Sequence, residues 1–316
     1  MAPALANALV PIFVGLLLGY WGGKRGWLDI KGVTALIAVV MNVAVPCAMF
    51  GAIIRTPWPA VAHAASACWI IALAYLVIYT ATCLVALRSG KVSLSESAVL
   101  ALTIGFPNCA AVAISLLSDL YGPSSRVLAS LSIAVGALTI SPITLAILEM
   151  QATPGPRSFD IRKFLKCILL SFKRPVVWAP LVALLLLAVH VSLPPFALSS
   201  LGVLGNASTG TALLLTGLIL SEQKLQVNFG VIASSLAKVV VQPLIVLGIC
   251  LLLRVEISTL RQVTMICATP AGFFGLVFGK RFQAAPAVAA GSALILTYVL
   301  SIATLPLWAV IVTYIH

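Results

Sequence analysis

Charged side chains are scarce in this sequence, and acidic side chains are the scarcest. Only 8% of its 316 residues are charged, and seven are Asp or Glu against 19 Lys or Arg. Hydrophobic residues make up 62% of the chain, and the mean hydropathy is +1.17. Apolar runs near 20 residues recur along its whole length, as transmembrane helices require, and the alternating ten-residue pattern of a β-barrel is missing. We therefore predict an all-α integral membrane protein without a separate soluble domain.

The motifs of enzymes and of metal sites are also absent from the sequence. It contains no HExxH, no Walker loop, no GxSxG and no pair of intramembrane aspartates. The seven cysteines mostly fall within apolar runs and show neither CxxC nor metal-ligand spacing. We interpret them as small packing residues. We expect no enzymatic activity, no metal ion and no cofactor.

Ten transmembrane spans can be drawn from the hydropathy pattern, and we number them in chain order. The predicted spans are 4–21, 33–54, 61–86, 95–118, 127–148, 175–191, 197–220, 230–253, 260–279 and 286–314. Loops after odd-numbered spans hold fourteen Lys or Arg residues, whereas loops after even-numbered spans hold four. This asymmetry places the odd loops in the cytoplasm and both termini outside, in the inner (plasma) membrane. It also accounts for the net charge of +12 without a nucleic-acid partner.

The longest connection divides the ten spans into two sets of five. Residues 1–150 form the first set, 151–174 the connection, and 175–316 the second set. Because each half holds an odd number of spans, the second half is predicted to be inverted relative to the first. Within the connection, FDIRKFLKCILLSFK places apolar residues at helical spacing among lysines. This pattern predicts an amphipathic helix on the cytoplasmic membrane surface.

Two proline-containing breaks interrupt spans four and nine at mid-membrane depth. Pro107 lies midway between Glu96 and Asp119, the nearest charged residues on either side, and Pro270 lies at the centre of a second such run. Proline leaves helical carbonyls without partners, and lipid cannot satisfy them. One such break alone is more typical of an ordinary kink. Two breaks in corresponding places of two halves indicate the binding site of a secondary transporter, in which the broken helices cross.

Residue offsets between the halves support a duplication. Pro107 and Pro270 are 163 residues apart, and Asn42 and Asn206 are 164 apart. The two asparagines lead the similar segments MNVAVP and GNASTG in spans two and seven. This shared offset favours an internal repeat over chance similarity.

Polar residues within the spans are the candidates for substrate binding, because such residues are costly in lipid and usually face the protein interior. We predict a binding role for Asn108, Pro107, Asn42, Asn206, Thr209, Thr269, Pro270 and Gly272. Asn108 is the foremost, because its amide and the N–H groups of the second half-helix could face an anion together. Gly272 would let backbone approach a ligand closely. For Asn42 and Asn206, an interhelical hydrogen bond is an equal alternative.

Lys238 is the one basic residue in the middle portion of a span, and Gln242 lies one helical turn further on. The favoured interpretation of Lys238 is that its side chain snorkels to the membrane interface. A role of both residues in coupling or in support of the site is the alternative. No Asp lies inside a span, so the sequence leaves H⁺ and Na⁺ both open as the coupling ion.

Four segments resemble the auxin efflux carrier family, and most closely its bacterial malonate carrier branch. GFPNCAA in span four is similar to that branch's FPNYAA, and TPAGFFGLVFG in span nine to its PAGFFG. KRPVVWAPLVALLLL with a following LPP resembles the start of the family's second half, and AKVVVQPL resembles its Lys-to-Pro segment in span eight. Ser115 and Gly210 stand where the family tends to have proline.

The resemblance implies ten helices in two inverted five-helix repeats, with spans four and nine broken and crossing. It also implies that Asn108 meets a substrate carboxylate. We therefore expect a secondary transporter of small organic anions, malonate or a related short carboxylate, that works by alternating access. An anion channel and a membrane-embedded anion sensor are the rival interpretations. The expected partners are the carboxylate, the lipid bilayer, a coupling ion and a second copy of the chain in a homodimer.

Overall fold

The computed structural model describes residues 2–90, 92–152, 161–222, 225–282 and 288–315. All regular secondary structure within these ranges is helical, apart from one isolated β-bridge. The α-helices are Ala2–Lys24, Ile30–Val39, Val45–Ile54, Trp58–His63, Ala65–Arg88, Leu94–Gly105, Ile114–Tyr121, Arg126–Leu138, Ile140–Ala152, Ile161–Ser171, Pro175–Ala188, Pro195–Ser221, Phe229–Leu236, Gln242–Leu252, Ile257–Ala268, Phe274–Arg281 and Val288–Thr313. The remaining helical segments are three π-helical turns, Val40–Ala44, Cys109–Ala113 and Ala237–Val241, and one 3₁₀ turn, Pro123–Ser125.

Six helices in the described residues are long and apolar enough to cross a membrane, and a seventh is added if one bent pair is a single span. The six are Lys31–Ile54, Ala65–Arg88, Arg126–Ala152, Pro195–Ser221, Phe229–Leu252 and Val288–Thr313. The chain is therefore a multi-pass membrane protein. The sequence predicts ten spans, and the four that are missing from the six have two physical reasons. Predicted spans four and nine are each divided into two pieces too short to cross alone. In spans one and six, the apolar helical segments Leu9–Lys24 and Pro175–Ala188 are also shorter than a full crossing requires, and span six counts only together with the helix before it.

Both breaks follow the chemistry of proline. The first part of span four, Leu94–Gly105, begins with a capping box between Ser93 and Glu96 and ends just before Pro107. Its second part begins at Cys109. In span nine, Ile257–Ala268 ends before Pro270 and the helix resumes at Phe274. A proline has no N–H to donate and its ring clashes with the preceding turn, so both helices end there.

Two of the three π-helical turns are also caused by a proline. Val40–Ala44 precedes Pro46, and Ala237–Val241 precedes Pro243. In each case the missing N–H of the proline frees a carbonyl in the turn before it. The helix adapts by widening locally instead of breaking, which is a common response and is frequent at functional sites.

The helices pack in two groups. Spans one, two, six and seven form the first group, in which span seven packs along spans one and two, and span six packs against span two. Spans three, four, five, eight, nine and ten form the second, around the two broken helices. Each group takes helices from both halves of the sequence, so the halves predicted from the chain are not two separate bodies in space.

The connection between the halves contains the helix Ile161–Ser171, at 62° to the helix that follows it. One face of this helix packs against the end of span five through Cys167. A second face exposes Ile161, Leu165 and Leu169, which are four residues apart. This exposed apolar stripe supports the predicted surface position of the helix. The first part of the predicted amphipathic segment, Phe159 and Asp160, lies outside the described residues.

A cysteine at the exposed position Lys173 tests the predicted orientation. We expect Lys173→Cys to react with a membrane-impermeant maleimide only after cells are permeabilised, because the connection is predicted to face the cytoplasm. Arg254→Cys, in a loop predicted to lie outside, is the matched control and should react in intact cells. The parent chain provides the background from its native cysteines. Labelling of Lys173→Cys in intact cells would show that the connection faces outside and that the orientation is opposite to the predicted one.

Candidate functional site

The two breaks meet each other. Asn108 donates its backbone N–H to the carbonyl of Pro270 at 2.8 Å, and Gly272 donates its own to the carbonyl of Phe106 at 2.7 Å. These reciprocal bonds form the antiparallel bridge between Pro107 and Ala271. They satisfy backbone groups that the prolines removed from the helices, as a dry environment demands. The breaks of spans four and nine therefore cross in direct contact.

Glycine makes this close crossing sterically accessible. A Cβ at Gly272 would lie 2.7 Å from the carbonyl oxygen of Phe106, and a Cβ at Gly275 would lie 2.5 Å from that of Val99. The ring of Phe274 then stacks on that of Phe106, with centroids 5.0 Å apart. The sequence predicts that Gly272 admits a ligand to the backbone. In the structure, the backbone of the other broken helix takes that place.

The carbonyl ends of the two first half-helices are bound by one pair of side chains from span eight. Lys238 donates from Nζ to Gln242 Oε1 at 2.6 Å and to the carbonyl of Cys267 at 2.8 Å. Gln242 donates from Nε2 to the carbonyl of Gly105 at 3.0 Å. Because helix C-termini carry partial negative charge, an ammonium group is electrostatically favoured there.

The snorkelling interpretation of Lys238 is therefore wrong. Its side chain is fully buried, at 0% relative exposure, and points to the crossing rather than to the membrane interface. The side chain does not need to reach the interface, because the carbonyl of Cys267 and the side-chain oxygen of Gln242 supply the partners that water would otherwise supply. In the structure, Lys238 and Gln242 bind the carbonyl ends of the two first half-helices, and their predicted role in coupling or in support of the site stays a prediction.

Asn108 is enclosed at the crossing. Its side chain is 2% exposed, and Nδ2 donates to the hydroxyl of Tyr298 in span ten. It adjoins a cavity of about 10 Å³ that is also lined by Pro107, Ala110 and Phe273. Ala110 and Phe273 belong equally to the wall of a much larger cavity. Asn108 therefore lies directly behind the inner end of that larger cavity.

The larger cavity has a volume of about 630 Å³ and lies between the two helix groups. Spans two and seven form one wall, with Asn206 and Thr209 among the lining residues. The other wall comes from the second part of span four, the start of span five and the residues after Pro270. Its inner end includes Ala110 and Phe274, at the N-terminal ends of the two second half-helices. First-turn N–H groups have no partner within their helix and favour negative charge.

The remaining predicted site residues lie apart from this cavity. Asn42 is on the opposite side of the crossing, where its Oδ1 accepts a 3.3 Å bond from Arg281. Thr269 is buried, and its hydroxyl donates to the carbonyl of Ile266 in its own helix. Pro270 contributes a carbonyl that is already used by Asn108. Of the predicted asparagines and threonines, Asn206 and Thr209 therefore line one wall of the large cavity, and Asn108 lies behind its inner end. Asn42 lies outside the cavity.

Sequence reasoning missed four polar residues that complete the site. In span ten, Tyr298 accepts from Asn108, and the Thr297 hydroxyl accepts the backbone N–H of Ala271 at 3.1 Å. At the other end of the cavity, Arg55 and Arg126 line its mouth. The arginines could have been noticed from the sequence, because Arg55 directly follows predicted span two and Arg126 directly precedes predicted span five. Nothing in the spacing of Tyr298 and Thr297 distinguishes them from other hydroxyl residues.

Crossed broken helices beside a cavity between two helix groups define a membrane transporter rather than a compact helical bundle. A family model described as "Membrane transport protein" matches residues 4–309 of the chain. The chain belongs to this family, the auxin efflux carriers, which the motifs of spans four and nine indicated.

Similar proteins occur in enteric bacteria. The uncharacterized transporter YfdV of Escherichia coli (strain K12) is 28% identical over 306 residues, which cover 95% of each chain. The proteins of the same name from Escherichia coli O157:H7 and Shigella flexneri match to the same extent. The likeness extends over both halves and both breaks, so it concerns the whole architecture rather than one motif.

Proposed function

We propose that the protein is a secondary transporter of small organic anions, with malonate or a related short carboxylate as the substrate. It works in the inner membrane, by alternating access around the two crossed helices, with H⁺ or Na⁺ as the coupling ion and as a homodimer. The resemblance of GFPNCAA and TPAGFFG to malonate carriers supports the substrate class. The transporter family supports the general activity.

One observation carries the choice of an anion. The cavity of about 630 Å³ ends at the N-termini of two half-helices and has two arginines at its mouth, while its lining in the described residues includes no Asp or Glu. Helix N-termini and guanidinium groups both stabilise negative charge. A carboxylate in this cavity is attracted at both ends, by the arginines at the mouth and by the helix N-termini at the inner end, whereas a cation would be repelled there. The fixed charges therefore favour an anionic substrate.

The proposed architecture is ten helices in two inverted five-helix repeats. Its support comes from the offset of 163 residues, which relates Pro107 to Pro270. The same offset relates Lys238 and Gln242 in span eight to Tyr75 and Tyr79 in span three. Like the span-eight pair, Tyr75 contacts a broken helix, because its hydroxyl lies 3.7 Å from the sulfur of Cys109. Equivalent positions in the two halves therefore lie beside the crossing.

Alternating access requires that the site be open on one side and closed on the other. The cavity mouth lies at the end predicted to face outside, where Arg55 and Arg126 are exposed. At the opposite end, the bond from Arg281 to Asn42 links the two helix groups. Both Nε and Nη2 of Arg174 donate to Glu149 close by, at 3.0 and 2.5 Å. These contacts support an outward-open arrangement that closes the cytoplasmic end.

Counterflow in proteoliposomes tests this function. We expect liposomes preloaded with unlabelled malonate to take up labelled malonate severalfold faster than empty liposomes, because a loaded carrier returns across the membrane faster than an empty one. The panel should include other short mono- and dicarboxylates. Liposomes without protein provide the control.

The rival functions give different results in the same assay. An anion channel would transport the labelled acid at a rate that unlabelled acid on the far side does not increase. An anion sensor would bind the acid, as measured by calorimetry on the purified protein, and transport none. Either outcome would contradict the proposed carrier.

A further inference from the structure

The mouth of the large cavity contains two arginines that the crossing does not use. Arg55 follows the last helical residue of span two, and Arg126 begins the helix of span five. Both side chains are exposed and both line the cavity. They come from different helix groups, so they lie on the two opposing walls of the mouth.

Each guanidinium group is held in place by one neighbour. Arg55 Nη2 donates to the carbonyl of Leu198 at 2.6 Å, and it lies beside Gly202, where a Cβ would come within 3.0 Å. Arg126 Nε donates to the hydroxyl of Ser118 at 2.8 Å. A guanidinium group has five N–H donors. Both groups are therefore oriented by the protein and keep donors for a ligand.

Neither arginine forms an ion pair with a carboxylate in the described part of the chain, although Asp119 follows Ser118, the partner of Arg126. The salt bridges in the described part of the chain join Arg174 to Glu149 and Lys280 to Glu222, and both lie away from the mouth. The described lining of the cavity contains no carboxylate either. A cleft with charges of one sign concentrates ligands of the opposite sign. The attraction grows with the charge of the ligand, so a dianion gains about twice as much as a monoanion of the same size.

A simpler explanation is that these arginines only mark the end of the membrane, as Lys and Arg often do. Two other arginines of the same predicted side allow a comparison. Arg261 donates to the carbonyls of Val312, Thr313 and Ile315 at the end of span ten. Arg254 does not line the cavity. Of these four arginines on the side predicted to face outside, only Arg55 and Arg126 line the cavity.

We propose that Arg55 and Arg126 form an anion subsite that selects substrates with two negative charges, so that the transporter prefers short dicarboxylates to monocarboxylates. This inference rests on the proposed function, because it assigns the preference to the same cavity. The subsite acts at entry, before the substrate reaches the crossing. Its loss therefore raises KM for a diacid and leaves kcat close to that of the parent.

The test compares each diacid with its half-amide, which has the same number of heavy atoms and one charge fewer. The probes are malonate with malonamate and succinate with succinamate, transported by the full-length protein in proteoliposomes. For Arg55→Gln and for Arg126→Gln, we expect KM for the diacid to rise about two- to fivefold and KM for the half-amide to rise clearly less, the usual scale for exposed charges. Higher salt should reduce the diacid preference of the parent.

Arg254→Gln is the matched control and should leave both KM values unchanged. Arg55→Lys and Arg126→Lys keep the positive charge and should keep the preference for the diacid over the half-amide. These variants test the proposed subsite even if a Gln variant does not fold. Equal increases for a diacid and its half-amide would overturn the subsite, and so would unchanged KM values. A parent protein that transports none of these acids would instead overturn the proposed function itself.

Discussion

Lys238→Met is expected to lower transport by about a hundredfold while the protein stays folded. The substitution keeps most of the side-chain volume and removes the ammonium group that binds Gln242 and the carbonyl of Cys267. Hydrogen bonds to a charged group contribute about 1.5–3 kcal/mol each, so two of them amount to at least about 3 kcal/mol, or a hundredfold. The bond to Cys267 holds span nine directly, and the bond to Gln242 orients the side chain that holds span four. Without them we expect the broken helices to shift, which would displace the helix ends that the proposed function assigns to the substrate.

Folding should survive because two effects oppose each other. Burying an ammonium group is costly, and methionine removes that cost. The carbonyl of Cys267 loses its partner at the same time, which costs about 1–3 kcal/mol. We expect a small change in melting temperature in detergent and a large change in the initial rate of uptake. Lys173→Met, at an exposed position, is the control. Parental uptake by Lys238→Met would show that the ammonium group is dispensable.

Asn108→Ala is expected to weaken substrate binding about ten- to a hundredfold, which corresponds to one hydrogen bond to a charged group. An amide donates to a carboxylate without placing a permanent charge beside the empty site. In the structure its Nδ2 is engaged with Tyr298. If Asn108 binds the substrate as proposed, its amide must exchange this partner for the substrate, and Ala110 and Phe273, which line both cavities, must move apart to admit it.

Two further variants show whether Asn108 binds substrate or only packs the crossing. Asn108→Asp should be worse than Asn108→Ala, because it places a negative charge against the substrate carboxylate. Tyr298→Phe removes the internal partner and keeps the amide, so binding should change much less. Calorimetry and uptake by monodisperse protein are the measurements. If Asn108→Ala binds and transports like the parent, Asn108 is a packing residue. Improved uptake by Asn108→Asp would indicate a cationic ligand.

Each helix group contains spans from both halves of the chain, so the groups that could move in the mechanism differ from the sequence halves. The first group holds spans one, two, six and seven, and the second holds the broken helices. The cavity lies on the boundary between the groups, not between the sequence halves. A movement of one group against the other would therefore change access to the cavity from both sides.

Local chemistry alone determined the membrane class and the positions of the two breaks. Hydropathy over about 20 residues decides whether a segment crosses lipid, and proline ends a helix through its own ring and missing N–H. Both properties depend on neighbouring residues in the chain. For the same reason, Asn108 could be selected from its place beside Pro107.

Only the tertiary structure decided which groups meet. Gln242 binds the carbonyl of Gly105 from 137 residues away, and Lys238 reaches Cys267 over 29 residues. The cavity and its two arginines likewise depend on how two helix groups face each other. Spacing along a helix predicts the face on which a residue lies, but not the partner that packs against that face. The interpretation of Lys238 as a snorkelling residue fails because one of its partners is the backbone carbonyl of Cys267. Every residue carries such a carbonyl, and this one becomes available only where a distant helix breaks.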